Sequence, residues 1–148
     1  METINPEKFT PRCYAFIQNE QGEVLVLRER WSGMDLNKLP GGGQELGEGM
    51  HACLNREIEE EFTHYSAITE WEHVFTPTHA FVSKFRPNEQ LLLNYFKAKK
   101  PVVASDWALR TDENLLGMHW LAPKKESATW FTLDNDRDAF LAFLDGLA

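Results

Sequence analysis

Leu39-Pro-Gly-Gly-Gly-Gln-Glu-Leu-Gly-Glu-Gly-Met-His-Ala-Cys-Leu-Asn-Arg-Glu-Ile-Glu-Glu-Glu61 is the stretch on which the reading of this chain turns. Its first half packs five glycines into the nine residues from Gly41 to Gly49. So much backbone freedom suits neither a stable helix nor a strand, and a loop is expected there. In the second half, Met50, Leu54, Ile58 and Phe62 recur every four residues, and this spacing predicts a helix over roughly 50–63. The loop is not a Walker A motif, because no Gly-Lys-Ser/Thr follows it. Nor is it G-x-G-x-x-G, because the sixth position from Gly41 is Leu46.

Glu57, Glu60 and Glu61 stand at i, i+3 and i+4 of that helix, so their carboxylates share one face. At about 100° per residue they span an arc of about 100°, with Leu54, Ile58 and Phe62 immediately beside it and Glu59 on the far side. An uncompensated cluster of like charges destabilises a helix, and proximity to a low-dielectric core raises that cost. From charge alone a solvated acidic face is the commoner explanation. Placement along the core stripe favours a site for a hard cation, because Mg²⁺ takes oxygen ligands together with water or substrate phosphates.

Outward from this region, Arg12 to Gln18 and Glu23 to Trp31 are expected to be strands. They flank a turn at Asn19 to Gly22 and are expected to pair antiparallel across it. On the second strand Val24, Val26, Arg28 and Arg30 share one face. Ser32 to Lys38 is expected to be a loop. Further strands are expected at 67–75, 80–85, 91–98 and 115–121. An amphipathic helix over 136–147, with Asp134 or Asn135 as its N-cap, closes the chain. Strand pairs and helices in mixed order point to a two- or three-layer α+β arrangement around a mixed sheet. With 148 residues and no repeat or linker, residues 1–148 are read as one domain.

The chain carries 15 Lys+Arg against 23 Asp+Glu, a formal charge of −8, which argues against a passive binder of nucleic-acid polymers. A phosphate substrate would need positive charge from some other source. Two cysteines, Cys13 and Cys53, make no disulfide framework. With no apolar leader and no run approaching the ~20 residues of a bilayer span, a cytoplasmic protein without membrane partners is expected. The five histidines show no zinc-ligand spacing. Most aromatics are expected in the core, with Tyr95, Phe81 and Trp107 considered for stacking a base.

Gly42, five residues, Glu48, seven residues and Arg56-Glu57-Ile58-Glu59-Glu60-Glu61 together resemble the Nudix box, G-x5-E-x7-R-E-U-x-E-E-x-G-U. The preceding Leu39-Pro-Gly-Gly resembles the family's lead-in. The chain departs from the pattern at Thr63, where glycine is expected, at His64, where an aliphatic is expected, and at Asn37, where an aromatic is frequent. The resemblance implies an α/β/α sandwich of Nudix type, with the box helix and a C-terminal helix packed on a mixed sheet.

It also implies hydrolysis of a nucleoside diphosphate linked to another group, with Mg²⁺ or Mn²⁺ as cofactor. By that resemblance Glu57, Glu60 and Glu61 bind metal, one of them deprotonating the attacking water, and the Gly41 carbonyl completes the shell. Arg56 orients the glutamates, Glu48 supports Arg56, and Gly42 lets backbone approach substrate. A further metal-binding acid from outside the box is expected at Glu113, with Asp112 and then Glu89 behind it. Arg28 and Arg30 are the candidates for phosphate contact. A small nucleotide such as a nucleoside triphosphate is the favoured substrate, and a nucleotide sugar the alternative. A non-catalytic nucleotide-binding sensor of the same fold is the competing reading; the oligomeric state is open.

Overall fold

A computed structural model of the chain describes residues 5–147. The central sheet is mixed. Strand β1 (Lys8–Phe16) runs parallel to β8 (Glu89–Ala98) over nine residue pairs, and on its other edge pairs antiparallel with β4 (Gly41–Gly43). The far edge of β8 takes β6 (Trp71–Phe75) and the short β7 (Phe81–Val82), both antiparallel. A second sheet places β2 (Val24–Trp31) between β10 (Leu115–Leu121) and β3 (Met34–Lys38). A two-stranded ladder joins β5 (Phe62–His64) to β9 (Ala108–Leu109).

Strand periodicity divides the core in two. Cys13, Ala15, Leu25 and Leu27 pack with Cys53, Leu54 and Ile58 of helix α1 (Met50–Glu61). Tyr14, Phe16, Val24 and Val26 face the other way and pack with Ala139, Phe140 and Phe143 of helix α2 (Asp134–Leu147). Helices thus cover both faces, as the α/β/α reading expects. Phe16 and Phe143 stack 4.4 Å apart at the centre of the second core. No helix among the described residues is long and apolar enough to cross a membrane.

Six local expectations are corrected. The first two strands do not form a hairpin: beyond the Asn19 turn they touch only at a Gln18–Val24 bridge before entering different sheets. Both edges of each are taken, β1 by β4 and β8, β2 by β10 and β3. The expected loop from Ser32 to Lys38 contains β3, because Ser32 and Gly33, at φ 50° and 78°, make a two-residue turn that returns the chain along β2. The glycine run contributes β4, whose missing side chains let it lie against β1 and α1 at once.

The strand expected at 80–85 is only Phe81–Val82, because the Ser83 hydroxyl accepts from the Phe85 and Arg86 amides and turns the chain. Likewise, only Trp71–Phe75 of the segment expected at 67–75 is strand. Finally, α1 ends at Glu61 and the chain passes straight into β5. The Arg110 amide and Nε donate to the carbonyls of Glu61 and Glu60, at 2.8 and 3.3 Å. The helix therefore closes without the glycine that Thr63 replaces.

Candidate active site

Arg56 organises the acidic face of α1. Its Nη2 donates to Glu48 Oε1 and to the Gly43 carbonyl, both at 2.7 Å; its Nη1 reaches Glu57 at 3.1 Å and Glu60 at 3.2 Å. Glu48 also accepts from the Glu45 amide, and with Arg56 as the larger cause its carboxyl falls to about 2. One guanidinium thus ties the loop, β4 and two of the helix acids together.

The three acids differ in surroundings. Glu60 is 56% exposed, whereas Glu57 is mostly covered and Glu61 nearly buried. Burial raises the Glu61 carboxyl to about 8, against the opposing pull of Lys38 and of the Gly41 amide, which donates to it at 3.1 Å. Burial likewise raises Glu57. A Cβ on Gly42 would stand 2.5 Å from Glu57 Oε1, so only glycine leaves room for that carboxylate. Among the described residues, no three His, Cys, Asp or Glu side chains stand together as a ready ion cage. The donor chemistry nevertheless suits a hard divalent cation: carboxylates and a glycine carbonyl, pressed against a core that penalises their negative charge.

Beside these acids opens a cleft of about 330 Å³, walled by Tyr14, Trp31, Phe81 and Phe85. Its polar lining includes Arg12, Lys38, Glu29, Asn135 and Asp136. Lys38 is buried, with Nζ 3.3 Å from both Glu29 Oε2 and the Gly41 carbonyl. Burial pulls its pKa down, but Glu61 and then Glu29 outweigh that and leave it raised. Asn37 ties β3 to the approach of α2: its amide group donates to the Trp130 carbonyl, and its backbone N–H donates to Thr132 Oγ1. At the position where an aromatic is frequent in the family, a pair of hydrogen bonds joins β3 to the segment before α2.

The other sequence candidates lie elsewhere. Arg28 and Arg30 both reach Asp35, at 3.8 and 2.9 Å, and neither lines the cleft. Glu113 is exposed on the loop before β10. Asp112 accepts from the Asn114 and Leu115 amides, which lowers its carboxyl. Glu89 lines the cleft but is paired with Lys8 and Arg86. Of the aromatics considered for stacking, only Phe81 lines the cleft; Tyr95 is buried beneath it and Trp107 sits in the α1 core. Arg12 and Lys38 were missed. The one signal for Lys38 was its alternation with Leu36 on a strand read as a loop.

Asp136 offers a test by pH. It is buried, accepts from the Tyr95 hydroxyl at 2.8 Å, and burial raises its carboxyl from 3.8 to about 6. A raised acid favours the fold while protonated, so its contribution is full below about pH 4 and is lost as pH rises through about 6. That shift corresponds to about 3 kcal/mol. Asp136→Asn is expected to remove most of this fall. Urea unfolding at intervals between pH 4 and 7.5 measures it, and parallel curves for the two proteins would contradict the assignment.

In comparison with known proteins, the chain matches the family model described as "NUDIX domain" over residues 8–142. A MutT protein from Methanosarcina mazei superposes with a TM-score of 0.69 at 22% identity, covering 99% of this chain and 98% of that one. The E. coli ORF135 protein gives 0.69 at 20%, covering 95% and 92%. A C. elegans Ap4A hydrolase gives 0.65 at 16%, covering 93% and 97%. No curated protein matches in sequence.

Proposed function

Since the chain belongs to the Nudix hydrolases, a pyrophosphohydrolase family, we propose that it cleaves a nucleoside diphosphate linked to another group in a Mg²⁺- or Mn²⁺-dependent reaction. A small nucleotide such as a nucleoside triphosphate is the proposed substrate. The observation that carries this reading is the acid face built around Arg56, linked to an aromatic-walled cleft through Lys38, which lines the cleft and donates to the Gly41 carbonyl. Glu57, Glu60, Glu61 and the Gly41 carbonyl would hold the cation. When bound, it would neutralise phosphate oxygens and lower the pKa of a bound water. Water attacks phosphorus, the exposed Glu60 carboxylate takes its proton, and the P–O anhydride bond breaks as the leaving phosphate departs. Arg56 holds Glu57 and Glu60 in place, Glu48 anchors Arg56, and Gly42 keeps the approach open. Glu113, exposed on the loop before β10, is the further acid proposed from outside the box.

A sensor that only binds nucleotide has no use for one buried and one mostly covered acid whose charge the core penalises, which favours the enzyme. The test is a hydrolysis panel with Mg²⁺ and Mn²⁺, comprising nucleoside triphosphates, dinucleoside polyphosphates and nucleotide sugars, with products identified by mass. A triphosphate substrate yields nucleoside monophosphate and pyrophosphate. Nucleotide binding without cleavage of any panel member would move the protein to the sensor reading.

A further inference from the structure

A protein of net charge −8 that handles phosphates needs local positive charge, and the fold gathers it where the sequence does not advertise it. Arg12 lies on β1 opposite Gly43 of β4, so it sits above the strand that carries the glycine loop. Its Nε donates to the Tyr14 hydroxyl at 2.6 Å, and its guanidinium lies 5.6 Å from the Tyr14 ring centroid. Lys38 Nζ lies 5.7 Å from the centroid of the same ring. The two cations flank one aromatic, and both line the cleft.

Their partners differ. Lys38 is shared between Glu29 and the Gly41 carbonyl. Arg12 has no ion pair, and neither Nη donates to a protein acceptor among the described residues. A guanidinium anchored through Nε presents its two Nη groups as a fork, the geometry that matches two oxygens of a phosphate.

We propose that Arg12, braced by Tyr14 and seconded by Lys38, is a phosphate-binding group of this site, contacting non-bridging oxygens of the substrate's phosphate chain between the cleft and the acid face. This assignment rests on the pyrophosphohydrolase reading for its substrate, but not for its ligand chemistry, which is a di- or triphosphate oxyanion. It places phosphate recognition on β1, outside the Nudix box and away from Arg28 and Arg30.

The experiment is calorimetric titration of inorganic pyrophosphate in Mg²⁺ buffer, paired with KM and kcat on whichever panel nucleotide is cleaved. Arg12→Gln is expected to raise the pyrophosphate Kd at least tenfold and KM by a similar factor, with a smaller change in kcat. Arg12→Lys keeps the charge but loses the fork and should recover only part of the affinity. Tyr14→Phe, which removes the brace, should weaken binding about threefold. The exposed Lys100→Gln is the charge control and should bind within twofold of wild type.

Folded Arg12→Gln protein with wild-type pyrophosphate affinity overturns the proposal, as does a wild type that binds no pyrophosphate. If Arg12→Gln does not fold, unchanged binding by both Arg12→Lys and Tyr14→Phe overturns it instead. A wild type that binds pyrophosphate through Arg12 yet cleaves no nucleotide would sink the hydrolase reading and leave this site standing.

Discussion

Glu60→Gln is expected to cut Mg²⁺-dependent turnover by about 10³-fold, within the range that loss of a positioned general base produces, while leaving unfolding free energy within about 0.5 kcal/mol of wild type. The two halves of this result have separate causes. Glu60 is 56% exposed and, among the described residues, its side chain is bonded only to Arg56, which keeps Glu48, Glu57 and the Gly43 carbonyl when Glu60 becomes an amide. The fold therefore loses little. The proposed chemistry loses its proton acceptor and one cation ligand at once. Steady-state kinetics and urea unfolding on the same preparation check both halves. Turnover within tenfold of wild type would remove Glu60 from the proposed mechanism, and a collapse of stability would show that its role is structural.

The other large effect is expected at Gly41→Ala, which should lose its cooperative unfolding transition altogether. Gly41 has φ +140°, a conformation left to glycine, and an added Cβ would lie 2.1 Å from the Cys13 carbonyl oxygen and 2.8 Å from the Tyr14 Cα. Both are backbone atoms of β1, held in register by the β1–β4 ladder, so nothing can swing aside. The cost exceeds about 4 kcal/mol, a large share of a small domain's stability.

Two neighbouring glycines calibrate this. Gly47, at φ +89°, has open space around it, and Gly47→Ala should cost only about 1 kcal/mol of backbone strain. Gly42→Ala meets the end of the Glu57 side chain, which can move; that variant should fold and lose activity through the displaced carboxylate. Thermal unfolding of the three alanine variants separates these cases. A Gly41→Ala protein as stable as Gly47→Ala would refute the steric argument.

The acid face was legible in the sequence because a helix converts spacing into direction. Glu57, Glu60 and Glu61 need only the 3.6-residue repeat to be placed beside Leu54 and Ile58. The sandwich was implied by the Nudix resemblance, and the alternation of faces along β2 was legible beside it. The cleft was not. Its walls come from β1, β2, β3, β7 with the segment after it, β8 and the start of α2, elements distant in sequence that only the folded chain brings together. Arg28 and Arg30 drew attention by sharing a strand face, yet Asp35 on the neighbouring strand claims both, through a hairpin that Ser32 and Gly33 create and that was read as a loop. Arg12 carried no motif, and what singles it out is a guanidinium held through Nε by Tyr14 with no ion pair among the described residues.

The closure of α1 has a consequence for how the site comes apart. Helix ends ordinarily fray, and an acid at a free terminus would sample disordered states long before the domain unfolds. Here the last carbonyls of the helix are held by Arg110, and the chain continues into a ladder with residues 108–109. Releasing Glu60 and Glu61 thus means detaching Arg110, 50 residues downstream of Glu60, and the strand before it. Fraying of the last helical turn is thereby coupled to release of this ladder.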